Sequence, residues 1–170
     1  MFEDEASFWL DGTLHRTWAP VGVQPRVDTF GMRKTAHVYG AITIEKRPHF
    51  VYQFAAVFNG GTFLEFLKEI ARRCPRRKVF LILDNGPCHN LQADGRDWLT
   101  ENRHRIELHR LPPYSPELNG IEGVWKVTKK KTTHNRFYAT VTHRDAALVS
   151  TFETFKAYPQ LVAGHVARFL

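Results

Sequence analysis

The first ten residues, MFEDEASFWL, alternate along a strand, with Phe2, Asp4, Ala6, Phe8 and Leu10 on one face and Glu3, Glu5, Ser7 and Trp9 on the other. Asp4 is thus the one acid on the more apolar face. DGT at 11–13 turns the chain, and HRTW at 15–18 is expected to run back as a second strand before the Pro20 to Pro25 loop. KTAHVYGAITI (34–44) and HFVYQFAAVF (49–58) are rich in β-branched and aromatic residues and predict a further hairpin across EKRP. After Asn59 the period becomes helical through Phe63, Phe66, Leu67 and Ile70, with Pro75 beyond the helix end. VFLIL at 79–83 is apolar on both faces, the mark of a central strand covered on both sides.

After DNGPCHN the pattern predicts a helix near 89–102 carrying Leu91, Trp98 and Leu99, then a short strand at 105–111. A proline-rich loop follows, with a helix from about Asn119 to Lys131. THRD at 142–145 has the form of a capping box for a closing helix that carries Leu148, Phe152 and Phe155. Strands first, then helix alternating with strand, predict a mixed sheet flanked by helices.

Composition narrows the classes. The chain has 170 residues, 43% hydrophobic and 24% charged, which suits a folded domain with a continuous core. Lys and Arg outnumber Asp and Glu by 24 to 17, and the net charge of +7 points to an anionic partner. Cys74 and Cys88 are too few for a disulfide framework and lack the spacing of a zinc site, so both are expected to be reduced thiols of a cytosolic protein. No apolar run approaches the roughly 18 residues of a bilayer span, and MFEDE is unlike a secretory signal, so no membrane partner is expected.

Three acids interrupt apolar patterns: Asp4 in the first strand, Asp84 at the end of VFLIL, and Glu122 between Ile121, Val124 and Trp125. Adjacent parallel strands would bring Asp4 near Asp84, and a helix packed on the sheet would bring Glu122 to the same edge. Three carboxylates so placed repel unless hard cations lie between them. Two Mg²⁺ or Mn²⁺ ions suit an all-oxygen site and the chemistry of phosphodiester displacement. Each acid also has an ordinary alternative: Asp84 as a turn residue before Asn85 and Gly86, Glu122 as an i,i+4 partner of Lys126, and Asp4 as part of a solvated acidic start.

Four motifs, in order, resemble one family. FEDEASF, RTWAPVGVQP, DNGPCHN and PPYSPELNGIEGVW are similar to the catalytic core of mariner-like DDE transposases, particularly the bacterial insertion-sequence branch. The resemblance implies an RNase H-like α/β fold: a mixed five-stranded sheet, the first three strands antiparallel, the last two parallel to the first, helices on both faces. It implies that residues 1–170 are a single DDE catalytic domain without the N-terminal helix-turn-helix domain. Asp4, Asp84 and Glu122 take the catalytic and metal-binding roles, with Asn85 and His89 supporting them. Glu117 is a rival third acid, and Gly120 departs from a proline common in the family, which is expected to loosen the turn.

For DNA contact the candidates are Lys126, Lys129 and Lys130, followed by Lys131, on the helix of Glu122, together with Arg16 and Trp18 in the RTWAP loop. Trp125 is expected to pack in the core. The basic cluster Arg72, Arg73, Arg76, Arg77 and Lys78 falls at the opposite end of VFLIL from Asp84 and is expected to be solvated. The implied activity is cleavage of transposon-end DNA and strand transfer, with a TA target. A general nuclease of the same fold, and an inactive remnant that only binds DNA or a partner chain, are the alternatives. Expected partners are transposon-end and target DNA and a second copy or a chain carrying the recognition domain, in a bacterial cytoplasm, at the nucleoid.

Overall fold

The computed structural model describes residues 1–32 and 34–170. Its strands are β1 (Phe2–Trp9), β2 (Thr35–Ile42), β3 (Phe50–Ala55), β4 (Val79–Leu83) and β5 (Ile106–Arg110), in the sheet order β3-β2-β1-β4-β5. The helices are α1 (Gly60–Arg73), α2 (Ala93–Glu101), α3 (Glu122–Thr132), α4 (Val141–Ala157) and α5 (Gln160–Val166). β1, β2 and β3 are antiparallel, and β4 and β5 run parallel to β1. This is the mixed sheet that the order of periodicities predicts.

Each face of the sheet has its own core. On one, Phe2, Ala6 and Phe8 of β1, Val38 and Ile42 of β2 and Phe50 of β3 pack against Ile121, Val124 and Trp125, Leu148, Phe152 and Phe155, and Val162 and Val166. On the other, Tyr39, Ala41, Val51, Val79, Leu81 and Leu83 meet Phe63, Phe66, Leu67 and Ile70 of α1. Each large apolar side chain so buried contributes roughly 1.5–3 kcal/mol relative to exposure. Trp125 lies flat enough to reach β2 only because Gly40 is there: a Cβ at Gly40 would stand 2.4 Å from the indole.

Three local expectations are corrected. HRTW at 15–18 has no regular structure; it belongs to an exposed arm between β1 and β2, and β1 pairs instead with residues 35–42. Its one large apolar residue, Trp18, is 99% exposed, so pairing there would bury no face, whereas Val38, Tyr39 and Ala41 of β2 bury both. The helix expected near 89–102 begins at Ala93, because Pro87–His89 form a separate 3₁₀ turn that carries His89 inward. The cap of α4 is Thr140, whose side chain accepts the His143 N–H, two residues ahead of the THRD box.

β1 and β4 meet at a single paired position, Phe2 opposite Ile82, reinforced where Ile82 N donates to Met1 O at 2.8 Å. Two residues further along each strand stand Asp4 and Asp84. The shared register therefore sets the two acids level with one another and on the face that α3 covers, where parallel strands leave a crevice beyond their carboxyl ends.

Candidate active site

α3 brings the third acid to this crevice. Its start is held by Asn119, a buried amide whose Nδ2 donates to Glu3 O of β1 at 2.9 Å. From there the helix follows β1: Trp125 packs against Phe8, and the far end reaches Gly12, where a Cβ would collide with Thr133 O and Arg136 O. Gly120 allows a close approach at the start of this helix. A Cβ there would sit 2.8 Å from the Phe2 ring and 2.9 Å from that of Phe169.

Asp4, Asp84 and Glu122 line one cleft of about 460 Å³ with Asn85, Gly86, Asn119 and the Leu111–Pro116 loop. The three carboxyls come from three separate elements and repel one another. Asp4, the most enclosed, is pushed up to about 7, first by burial and then by Glu5, Asp84 and Glu122. Asp84 is half exposed, and its Oδ1 accepts the Gly86 N–H at 2.7 Å. Glu122 Oε2 lies 3.5 Å from Lys126 Nζ. The ordinary readings of these two residues, turn former and helix-surface ion pair, thus coexist with their place in the cleft.

Asn85 and His89 differ in kind. Asn85 Nδ2 donates to Leu111 O at 2.8 Å, tying the turn after β4 to the end of β5. His89 is buried behind Asp84: its Nδ1 lies 3.2 Å from Asp84 Oδ1, while its Nε2 lies 2.9 Å from Glu5 Oε1 and 3.1 Å from Glu3 Oε2. Burial opposes protonation of this imidazole, but contacts with Cys88, Glu3 and Glu5 outweigh it and hold the ring well above its usual range. Glu5 is correspondingly held low by His89 and Cys88 against its own burial, and Glu3, fully enclosed, is pushed up by burial. The acidic start is therefore not a solvated one: Glu3 is 0% exposed.

The basic candidates divide in the same way. Lys126 and Lys129 follow Glu122 at i+4 and i+7 on one stripe of α3, with Lys130 beside them. Arg16 and Trp18 are not in the acidic cleft. They project from the arm, whose root docks at the far end of α3, where Asn135 N donates to Thr13 O at 3.0 Å and Asn135 Oδ1 accepts the His15 N–H at 2.8 Å. Glu117 lies in the 3₁₀ turn Pro116–Leu118, outside the residues that line the cleft. Arg72 and Arg73 pair with Glu69, Arg77 with Glu45 and Lys78 with Glu107 at the opposite end of β4. The sequence reading missed Asn119, Glu3, Glu5 and Cys88.

The family profile described as DDE superfamily endonuclease matches residues 1–143. The chain belongs to this family. A 39 kDa protein of insertion element IS630 from Shigella sonnei is 27% identical over 140 residues, covering 79% of the chain and 38% of that protein. The Mos1 strand transfer complex superposes with a TM-score of 0.66 at 16% identity, over 97% of this chain and 49% of the Mos1 chain. The catalytic domain of Mos1 mariner transposase gives 0.56 at 13% identity, over 97% and 78% of the two chains. The fold is the RNase H-like fold of transposase and integrase catalytic domains, as the resemblance implied. The chain spans well under half of its insertion-element relative and about half of the chain in the strand transfer complex.

Proposed function

We propose that this chain is the catalytic domain of an insertion-sequence transposase, cutting DNA at the ends of a mobile element and joining the freed 3′ end to target DNA. The observation that carries the reading is the meeting of Asp4, Asp84 and Glu122 in one cleft of a DDE-family chain. Related complexes of Mos1 have been determined with Mn and with Mg, and with transposon-end DNA.

The cleft fits hard divalent ions. Its charged donors are all carboxylate oxygens, and such cations would offset the burial and, after it, the repulsion from neighbouring acids that raise Asp4. Asp4, Asp84 and Glu122 would hold two Mg²⁺ or Mn²⁺ ions, which supply activation of the attacking oxygen and stabilisation of the leaving one. The chain's own residues do the rest. Asn119 fixes Glu122 against β1, His89 orients Asp84 from behind, and Asn85 keeps the Leu111–Pro116 wall in place.

DNA would enter along α3. From the cleft, Lys126, Lys129 and Lys130 lead to the root of the arm, where Arg16 extends the positive track and Trp18 offers an exposed ring for stacking. The exposed apolar residues of the arm, Leu14, Trp18 and Val21, also suit contact with a second copy. Reading of the end sequence is left to a recognition domain outside these residues.

The test is a supercoiled plasmid carrying element ends, incubated with Mg²⁺ or Mn²⁺, followed by strand transfer from a precut 3′ end. Nicking and joining, both lost in Asp84→Asn, are expected. Nicking without joining would leave a general nuclease, and binding without nicking an inert DNA binder.

A further inference from the structure

Behind the catalytic cleft, on the opposite face of β1, lies a second cluster of ligand-bearing side chains. Glu5, Cys88 and His89 each offer one donor atom, all within 4.8 Å of one another. Cys88 Sγ donates to Glu5 Oε1, and His89 Nε2 is 2.9 Å from the same oxygen. Glu3 lies beside this group, with Oε2 at 3.1 Å from His89 Nε2. That approach is close in distance, yet the angles make no hydrogen bond: both Glu3 oxygens and His89 Nε2 are buried without a hydrogen-bond partner. A carboxylate so enclosed is costly to leave unpaired. Its surroundings are built for access as well as enclosure, since Glu5 and Cys88 also line a cleft of about 390 Å³ with Phe58, Asn59, Gly60, Gly86 and Pro87.

We propose that Glu5, Cys88 and His89, with the enclosed Glu3 carboxylate beside them, form a metal site separate from the acidic triad, taking one borderline divalent ion of the Zn²⁺ class. One sulfur, one imidazole nitrogen and one carboxylate oxygen are a donor set for zinc rather than for magnesium, which takes oxygen ligands. The ion would neutralise the enclosed Glu3 carboxylate, which makes no hydrogen bond, and would take the place of the proton on His89 Nε2. It would also fix the imidazole tautomer: with Nε2 on the metal, Nδ1 carries the proton and donates to the main-chain oxygen of Asp84, 3.2 Å away, with Asp84 Oδ1 at the same distance. The second site thereby acts as a positioning element for one acid of the triad. Gly86 permits this stacking, since a Cβ there would come 3.0 Å from Asp84 Oδ1 and 3.2 Å from Cys88 Sγ. Binding of the ion does not depend on the transposase reading, which is judged separately by nicking and joining.

The test uses the full chain titrated with Co²⁺, a spectroscopic substitute for Zn²⁺, in buffer holding excess Mg²⁺ to occupy the triad. One equivalent should bind with tetrahedral d–d bands and a thiolate-to-cobalt charge-transfer band. That band should vanish in Cys88→Ser and persist in Cys74→Ser and Glu122→Gln, with folding checked by circular dichroism. If Cys88→Ser does not fold, Glu5→Gln serves instead and should weaken Co²⁺ binding roughly tenfold or more. The absence of a charge-transfer band in the unmodified chain, its survival in folded Cys88→Ser, its loss with Glu122→Gln, or undiminished Co²⁺ affinity in Glu5→Gln would each overturn the site.

Discussion

The two faces of β1 put neighbouring acids to opposite uses. Asp4 looks into an open cleft shared with Asp84 and Glu122, and burial and repulsion drive it up to about 7. Glu3 and Glu5, one residue away on either side, turn beneath α1 and close around His89. Three consecutive carboxyls thus separate into one that is exposed to ions and substrate and two that are enclosed. The fork is imposed by the period of the strand and by which helices cover each face, not by any difference in the acids themselves. His89 touches both sides, facing Glu3 and Glu5 with one nitrogen and Asp84 with the other.

The strongest way to break the comparison is Asp84→Asn, expected to abolish Mg²⁺-dependent plasmid nicking while the thermal melting curve is kept. A variant that unfolds instead would show that the open side is structural after all. Next comes Trp125→Ala, which empties the space between α3 and Gly40 and should cost about 3–5 kcal/mol by denaturant titration. That loss is predicted to exceed the effect on stability of any triad substitution. His89→Gln keeps a polar group but cannot hold a proton or an ion between the two faces. It should lower the nicking rate roughly 10–100-fold at saturating DNA, with DNA affinity unchanged by fluorescence anisotropy.

The pH dependence distinguishes the faces more gently. Asp4 holds its proton to about 7 in the fold against an ordinary 3.8. The raised value means that the metal-free fold binds this proton more tightly than the open chain does, so this contribution to stability is lost as pH rises between those values. Mg²⁺ competes with the same proton. Its affinity should climb over that window and level off above about 7, with proton uptake by the buffer detectable in calorimetry and absent in Asp4→Asn. The smallest effect is expected at Lys126→Ala and Lys129→Ala. Each should reduce the slope of log affinity against log salt by about 0.9 in filter-binding assays, while nicking at low salt is kept.

Much of this arrangement was legible because its physical signals are local. Alternation along MFEDEASFWL, the two-sided apolar run VFLIL and the helical spacing after Asn59 each prescribe an element, and Asp4 on the apolar face marks itself as anomalous. The arm was misread because a turn signal at DGT suggests a return strand, although nothing in HRTW offers a second apolar face to bury. Glu3 and Glu5 were misjudged for a longer-range reason. They pair across the ladder with Ala41 and Tyr39, whose own burial under α1 shows that this face is closed too. Cysteine spacing conceals Cys88 in the same way, since its partner Glu5 comes from a strand more than eighty residues earlier. Asn119 gave a faint signal as a polar residue just ahead of a helix, but its acceptor on β1 is visible only in three dimensions.

The single rung joining β1 to β4 has a mechanical consequence. Had the two strands been laced together along their length, the separation of Asp4 and Asp84 would be as stiff as the sheet. Paired at one position like the limbs of tweezers, they leave that separation to a side-chain strut, His89, which faces Glu3 and Glu5 of β1 with one nitrogen and Asp84 with the other. A small change in the separation of the two acids would therefore tear no hydrogen-bonded ladder between these strands.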